Sequence, residues 1–235
     1  MKPLFPHPDE QDHNAPPVNP LPRSVILLAL AIFGIEMVLT AAGAGLIGGP
    51  AGSGWRLQAI ERFGFYEPLW SWMVDNRLIR WDHVLRFVTY PFIHGTFTHA
   101  LFVLVFLLAM GKLVGEVLAD WAVLVIFFGA SFLGALAYGM AWETRVMLFG
   151  GYPGAYGLIG AFTFILWAGL AGRATGLQAF TLIAFLMGIQ LIFGLLYGAR
   201  FDWVADLAGF TGGFGLAFVV SPGGWQAILR KVRQR

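Results

Sequence analysis

Long apolar runs constrain this chain more than any other feature. A helix that crosses a bilayer needs about 20 mostly apolar residues. Six runs approach or meet that length: Ser24–Ile47, Thr98–Leu118, Trp121–Trp142, Ala155–Ala171, Leu177–Tyr197 and Trp203–Val220. Lipid offers the backbone no hydrogen-bond partners, so each run is predicted to be a helix, which satisfies itself. The fourth run is short, and Pro153 leaves its start open. Hydrophobic residues make up 58% of the chain and charged ones 12%, against about 25% charged in soluble domains. One soluble core could not hide that much apolar surface, so lipid is the expected solvent. The balance excludes a disordered protein, a nucleic-acid-binding domain and an ordinary soluble enzyme. The chain has no cysteine, which excludes disulfides, thiolate metal sites and a cysteine nucleophile.

The expected organisation is a disordered, proline-rich tail over 1–21, a membrane domain over 22–221 and a basic tail over 222–235. The start does not read as a signal peptide, because no basic residues lead into a short apolar core and a cleavage site. Within the membrane domain, residues 49–97 form a long first loop. It mixes Trp55, Trp70, Trp72 and Trp81 with Arg56, Arg62, Arg77 and Arg80. Aromatic residues among arginines suit a segment lying in the headgroup layer. The plainer alternative is a small amphipathic helix packed on the bundle.

Arg23 precedes the first run, and Arg230, Lys231, Arg233 and Arg235 follow the last. An even number of spans with basic ends places both termini in the cytoplasm. The second, fourth and sixth runs then all start at one membrane face. Three unusual segments stand at those starts: His94 to His99, Gly150 to Gly157 and Asp206 to Gly213. Their common level predicts a shared cavity opening toward that face.

Those segments, in that order, resemble the rhomboid superfamily of six-helix membrane proteins. Arg86, Thr89, His94 and His99 match the approach to its second span, within RFVTYPFIHGTFTHALF. Leu107, Gly111 and Glu116 follow its spacing, with Glu116 one residue late. GGYPGAYGLIGAF supplies Gly151, Gly154, Tyr156, Gly157, Gly160 and Ala161 where the family opens its fourth span with Gly-x-Ser-Gly. ADLAGFTGG supplies Ala205, Gly209 and Gly213 where the sixth span carries Ala-His-x-x-Gly-x-x-x-Gly. The resemblance implies an all-α bundle of six transmembrane helices, with a large interfacial loop between the first two.

It also implies a serine–histidine protease site, and here the residues depart from it. The serine position holds Pro153 or Tyr152, depending on where a one-residue gap falls. The histidine position holds Asp206, and the position of an oxyanion-stabilising asparagine holds Val103. Only His99 is kept. Losing one member of a nucleophile–base pair can cost on the order of 10⁶ in rate. The former site positions His99, Val103, Tyr152, Pro153 and Asp206 are therefore expected to carry no serine-protease chemistry. The resemblance is to an inactive member, a pseudoprotease.

Gly154, Gly157, Gly160, Gly209 and Gly213 are expected to let helices pack closely. Asp206 and Glu36 lie within apolar runs, where charge is costly and often functional. Asp206 is read either as a polar contact for a partner or as a member of a local hydrogen-bond network. Lys112 and Glu116 are spaced to pair on one helix face. No metal and no cofactor is expected. The expected partners are membrane lipids and transmembrane segments of client proteins, not nucleic acid. The expected location is a bacterial inner (plasma) membrane. Two alternatives stay open: an active intramembrane protease using Tyr152, or a water activated by Asp206 with His99; and a small-solute or proton pathway through Glu36 and Asp206.

Overall fold

The computed structural model describes residues 20–141, 146–169, 176–188 and 202–221. Residues 1–19 of the expected first tail and all of the expected second tail, 222–235, lie outside the described residues. So do residue 142 of the third apolar run, 170–171 of the fourth and 189–197 of the fifth.

Among the described residues the fold is helical, apart from one antiparallel bridge between Phe65 and Leu148. Four helices are long and apolar enough to cross a membrane: α1 (Arg23–Gly43), α4 (Phe97–Val117), α5 (Asp120–Ala141) and α8 (Asp202–Val220). Between α1 and α4 lie α2 (Trp55–Phe63), α3 (Glu67–Asp75) and shorter turns. The fourth apolar run forms α6 (Tyr152–Gly169), of 18 residues, and the described part of the fifth is the shorter α7 (Gln178–Gly188).

The outer helices show how lipid shapes the sequence. On α1 the buried positions include Val25, Leu28, Ile32, Glu36 and Leu39, a stripe at helical spacing. The opposite face is also apolar, with Leu27, Leu30, Phe33 and Val38 exposed. A water-facing helix would carry polar residues there. The first turn of α1 has no capping side chain of its own. Asp120 of α5 supplies one, accepting from the Ser24 N–H at 2.9 Å and the Ser24 hydroxyl at 2.6 Å.

Helix α6 is the centre of the bundle, with every residue from Pro153 to Ala161 buried. Its glycines let α8 approach closely. A β-carbon at Gly213 would overlap the Gly157 carbonyl oxygen, and one at Gly160 would overlap the Phe210 carbonyl oxygen. Gly209 meets the Pro153 carbonyl in the same way. Small residues at such a seam replace the hydrophobic drive that lipid does not provide. Gly154 faces elsewhere: its missing β-carbon would stand 2.6 Å from the Phe127 ring and 2.8 Å from the Ser131 hydroxyl, both on α5.

The segment between α1 and α4 is bound to the bundle at several points. Phe65 and Leu148 exchange backbone hydrogen bonds of 2.9 Å each. Arg86 Nη1 donates to the Gly64 carbonyl at 2.8 Å, and the Thr89 hydroxyl donates to the Phe63 carbonyl at 3.0 Å. The Tyr90 hydroxyl donates to the Ser131 carbonyl at 2.8 Å. Phe65, Phe87, Tyr90, Tyr138 and Leu148 form a compact cluster beneath.

Candidate functional site

The starts of α4, α6 and α8 meet at one end of the bundle. Together they wall a cavity of about 300 Å³ whose lining includes Thr98, His99, Tyr152, Pro153, Asp202 and Asp206. Local chemistry positions each wall. Thr96 caps α4, its hydroxyl oxygen accepting from the His99 N–H at 3.1 Å. Proline is tolerated in the first turn of a helix because the N–H it lacks would have no partner there, so Pro153 fits where it stands in α6. Asp202 sits in the first turn of α8, where a carboxylate favours the positive end of the helix dipole.

Gly150 joins the walls. Its φ of +101° lies in the range that disfavours side chains. A β-carbon there would stand 2.6 Å from His99 Nε2, so the backbone passes directly under the imidazole. The Gly150 N–H donates to the Tyr90 carbonyl at 3.0 Å. The Gly151 N–H donates to His94 Nε2 at 3.2 Å.

His94 is fully buried, with its ring edge-on to that of His99, centroids 5.0 Å apart. Burial pushes its pKa down to about 3, assisted by the neighbouring His99 and opposed by the Phe92 carbonyl. His94 is therefore a neutral acceptor that holds the Gly151 backbone. Burial also raises the pKa of the Tyr90 phenol, the Asp206 carboxylate adding to the effect.

Four of the five positions that the resemblance marks, His99, Tyr152, Pro153 and Asp206, line this one cavity. The fifth, Val103, is fully buried in α4 and packs against Gly151. Asp206 is 3% exposed. Pro153 has neither a hydroxyl nor a backbone N–H, so its position lacks a nucleophile and also a main-chain donor. The Tyr152 ring is stacked on His99 at 5.0 Å and 19°. An imidazole lone pair lies in the ring plane, so a ring stacked on its face is not placed to surrender a phenolic proton to it. The buried Ser131 hydroxyl donates to the Phe127 carbonyl at 2.8 Å. Among the described residues, His, Asp and Glu side chains nowhere gather in a set of three able to hold a metal ion.

The rhomboid domain family model matches residues 82–223. The chain belongs to the rhomboid family. No curated protein and no solved structure matches it. The matched stretch contains every wall of the cavity and leaves α1, α2 and α3 outside.

One polar cluster near the cavity escaped sequence reasoning. Glu36 of α1 is 1% exposed and forms a two-pronged ion pair with Arg56 of α2, at 2.7 and 3.0 Å. The Thr40 hydroxyl donates to Glu36 at 2.9 Å. Arg56 Nη1 also donates to the His94 carbonyl at 2.7 Å. The available signal was a carboxylate in an apolar run, which demands a partner. Nothing in the spacing of 20 residues across a chain reversal named Arg56 as that partner. The Lys112 ammonium lies 4.0 Å from the Glu116 carboxylate, a loose pair on α4 away from the cavity.

Proposed function

We propose that this rhomboid-family membrane protein is non-proteolytic and binds transmembrane segments of client membrane proteins at the cavity between α4, α6 and α8. The observation that carries this reading is Pro153 on the cavity wall, with no hydroxyl and no N–H at one of the two positions, Pro153 or Tyr152, where the family resemblance places its serine. Val103, which cannot donate a hydrogen bond, and the stacked Tyr152 add to it. A cavity that offers polar groups beside apolar surface suits association in lipid, where close packing and polar contacts drive helices together. Asp206 and His99 are the polar contacts offered to a client.

The topology proposed with it has six membrane helices, with α6 and a helix containing α7 joining the four of spanning length. Both termini face the cytoplasm of a bacterial inner membrane. The segment between α1 and α4 lies in the headgroup layer. Exposed Ile79, Trp81 and Leu85 beside Arg77 and Arg80 support that placement.

A photoreactive residue at Phe102, on the cavity wall, is expected to capture membrane proteins through their transmembrane segments. Capture of nothing above background would count against client binding. Purified protein is expected neither to cut a model transmembrane substrate nor to be labelled by a fluorophosphonate. Cleavage abolished by Asp206→Ala would overturn the non-proteolytic reading.

A further inference from the structure

We infer that Arg56 and Glu36, both outside the stretch matched by the family model, are positioning residues that set the shape of the cavity through His94. A continuous polar chain carries the effect. Glu36 on α1 holds Arg56 on α2 at 2.7 and 3.0 Å, Arg56 holds the His94 carbonyl at 2.7 Å, and His94 Nε2 accepts the Gly151 N–H at 3.2 Å. The last two links sit directly before two cavity walls, since His94 leads into α4 and Gly151 leads into α6. Through this chain α1 and α2 reach walls to which they contribute no lining residue.

The chemistry suits registry better than stability. Burying two ions costs so much that apolar replacements of a buried pair are often neutral or stabilising. What an apolar pair cannot do is aim a donor at a third group. The planar guanidinium fork engages both carboxylate oxygens and still presents Nη1 to the His94 carbonyl, which a lysine ammonium cannot reproduce. The inference holds whatever the cavity binds.

The test uses the full chain in lipid nanodiscs. The parent has no cysteine, so Thr98→Cys places a single thiol on the cavity wall. Three variants are compared in that background: Arg56→Met, Arg56→Lys, and Glu36→Met with Arg56→Met. The double variant removes both charges and is expected to melt within about 5 °C of the parent. Its Gly151 amide is expected to exchange at least about tenfold faster, as befits loss of a hydrogen bond to a charged group upstream. Thiol reactivity at position 98 is expected to change with it. Arg56→Met leaves Glu36 buried without its partner and is expected to melt lower than the double variant. Arg56→Lys is expected to fall between parent and double variant in Gly151 exchange. Parental exchange at Gly151 and parental thiol reactivity in the double variant would overturn the inference. A double variant that unfolds, or exchanges faster throughout the chain, would also overturn it, because the pair would then hold the fold and not the site.

Discussion

The His99 imidazole lies nearly parallel to the Tyr152 ring, centroids 5.0 Å apart and planes 19° apart, and this stack joins the start of α4 to the start of α6 across the cavity. A stack draws on ring area and not on the phenolic hydroxyl. Tyr152→Phe is therefore expected to change stability by less than about 0.5 kcal/mol, while Tyr152→Ala is expected to cost about 3 kcal/mol. Thermal melts of the two variants check this. A large loss in Tyr152→Phe would give the hydroxyl a role that the stacked geometry denies it.

Gly150 bears on the same ring from below. Gly150→Ala forces a side chain onto a φ of +101° and into His99, 2.6 Å away. The expected cost is about 1–3 kcal/mol, together with displacement of the imidazole. The His99 ring resonances, followed by NMR in nanodiscs, report that displacement. Unchanged resonances would mean that the backbone does not support the ring.

The seam between α6 and α8 separates packing glycines from idle ones. Gly213→Ala is expected to destabilise by several kcal/mol, because its β-carbon meets the Gly157 backbone, which cannot swing aside. Gly34→Ala, on α1 with nothing within 4 Å, is expected to be neutral or to stabilise by about 0.5–1 kcal/mol. Melting both variants side by side tests the seam against a control in the same membrane.

Acid is expected to weaken the fold through His94. Its folded-state pKa of about 3 lies below the ordinary 6.5, so below pH 6.5 the unfolded chain takes up a proton that the folded chain refuses. This contribution is flat above pH 6.5. Stability then falls as pH drops from 6.5 toward 3, by at most about 1.4 kcal/mol per pH unit. His94→Gln keeps an acceptor for the Gly151 N–H and is expected to flatten the slope between pH 6.5 and 4.5. A slope that survives the substitution would assign it to another group.

The membrane environment was legible because apolar runs near 20 residues have few other physical solutions. The family was legible because three short segments kept their order and spacing, and the match over residues 82–223 bears that out. His99, Tyr152, Pro153 and Asp206 could be named in advance because the family resemblance marks those positions, and the shared level of three run starts pointed to a cavity there. The partner of Glu36 was not legible. A carboxylate inside an apolar helix announces a need, but Arg56 answers it only because the chain turns back after α1. Gly154 has the spacing of a packing glycine, but the side chains it meets, Phe127 and Ser131 of α5, are not named by that spacing. Helical periodicity places a residue on a face without naming the neighbour opposite.

What the sequence settled alone was solvent, helical character and the atoms present at each position: Pro153 has no hydroxyl in any fold. Tertiary structure decided relations between positions, namely the stack of Tyr152 on His99, the hold of His94 on Gly151 and the reach of Arg56 to both Glu36 and the His94 carbonyl. The division has a physical cause. Transfer into lipid depends on local composition summed over one segment, whereas a ring stack or a forked ion pair exists only once separate segments are brought within a few ångströms of each other.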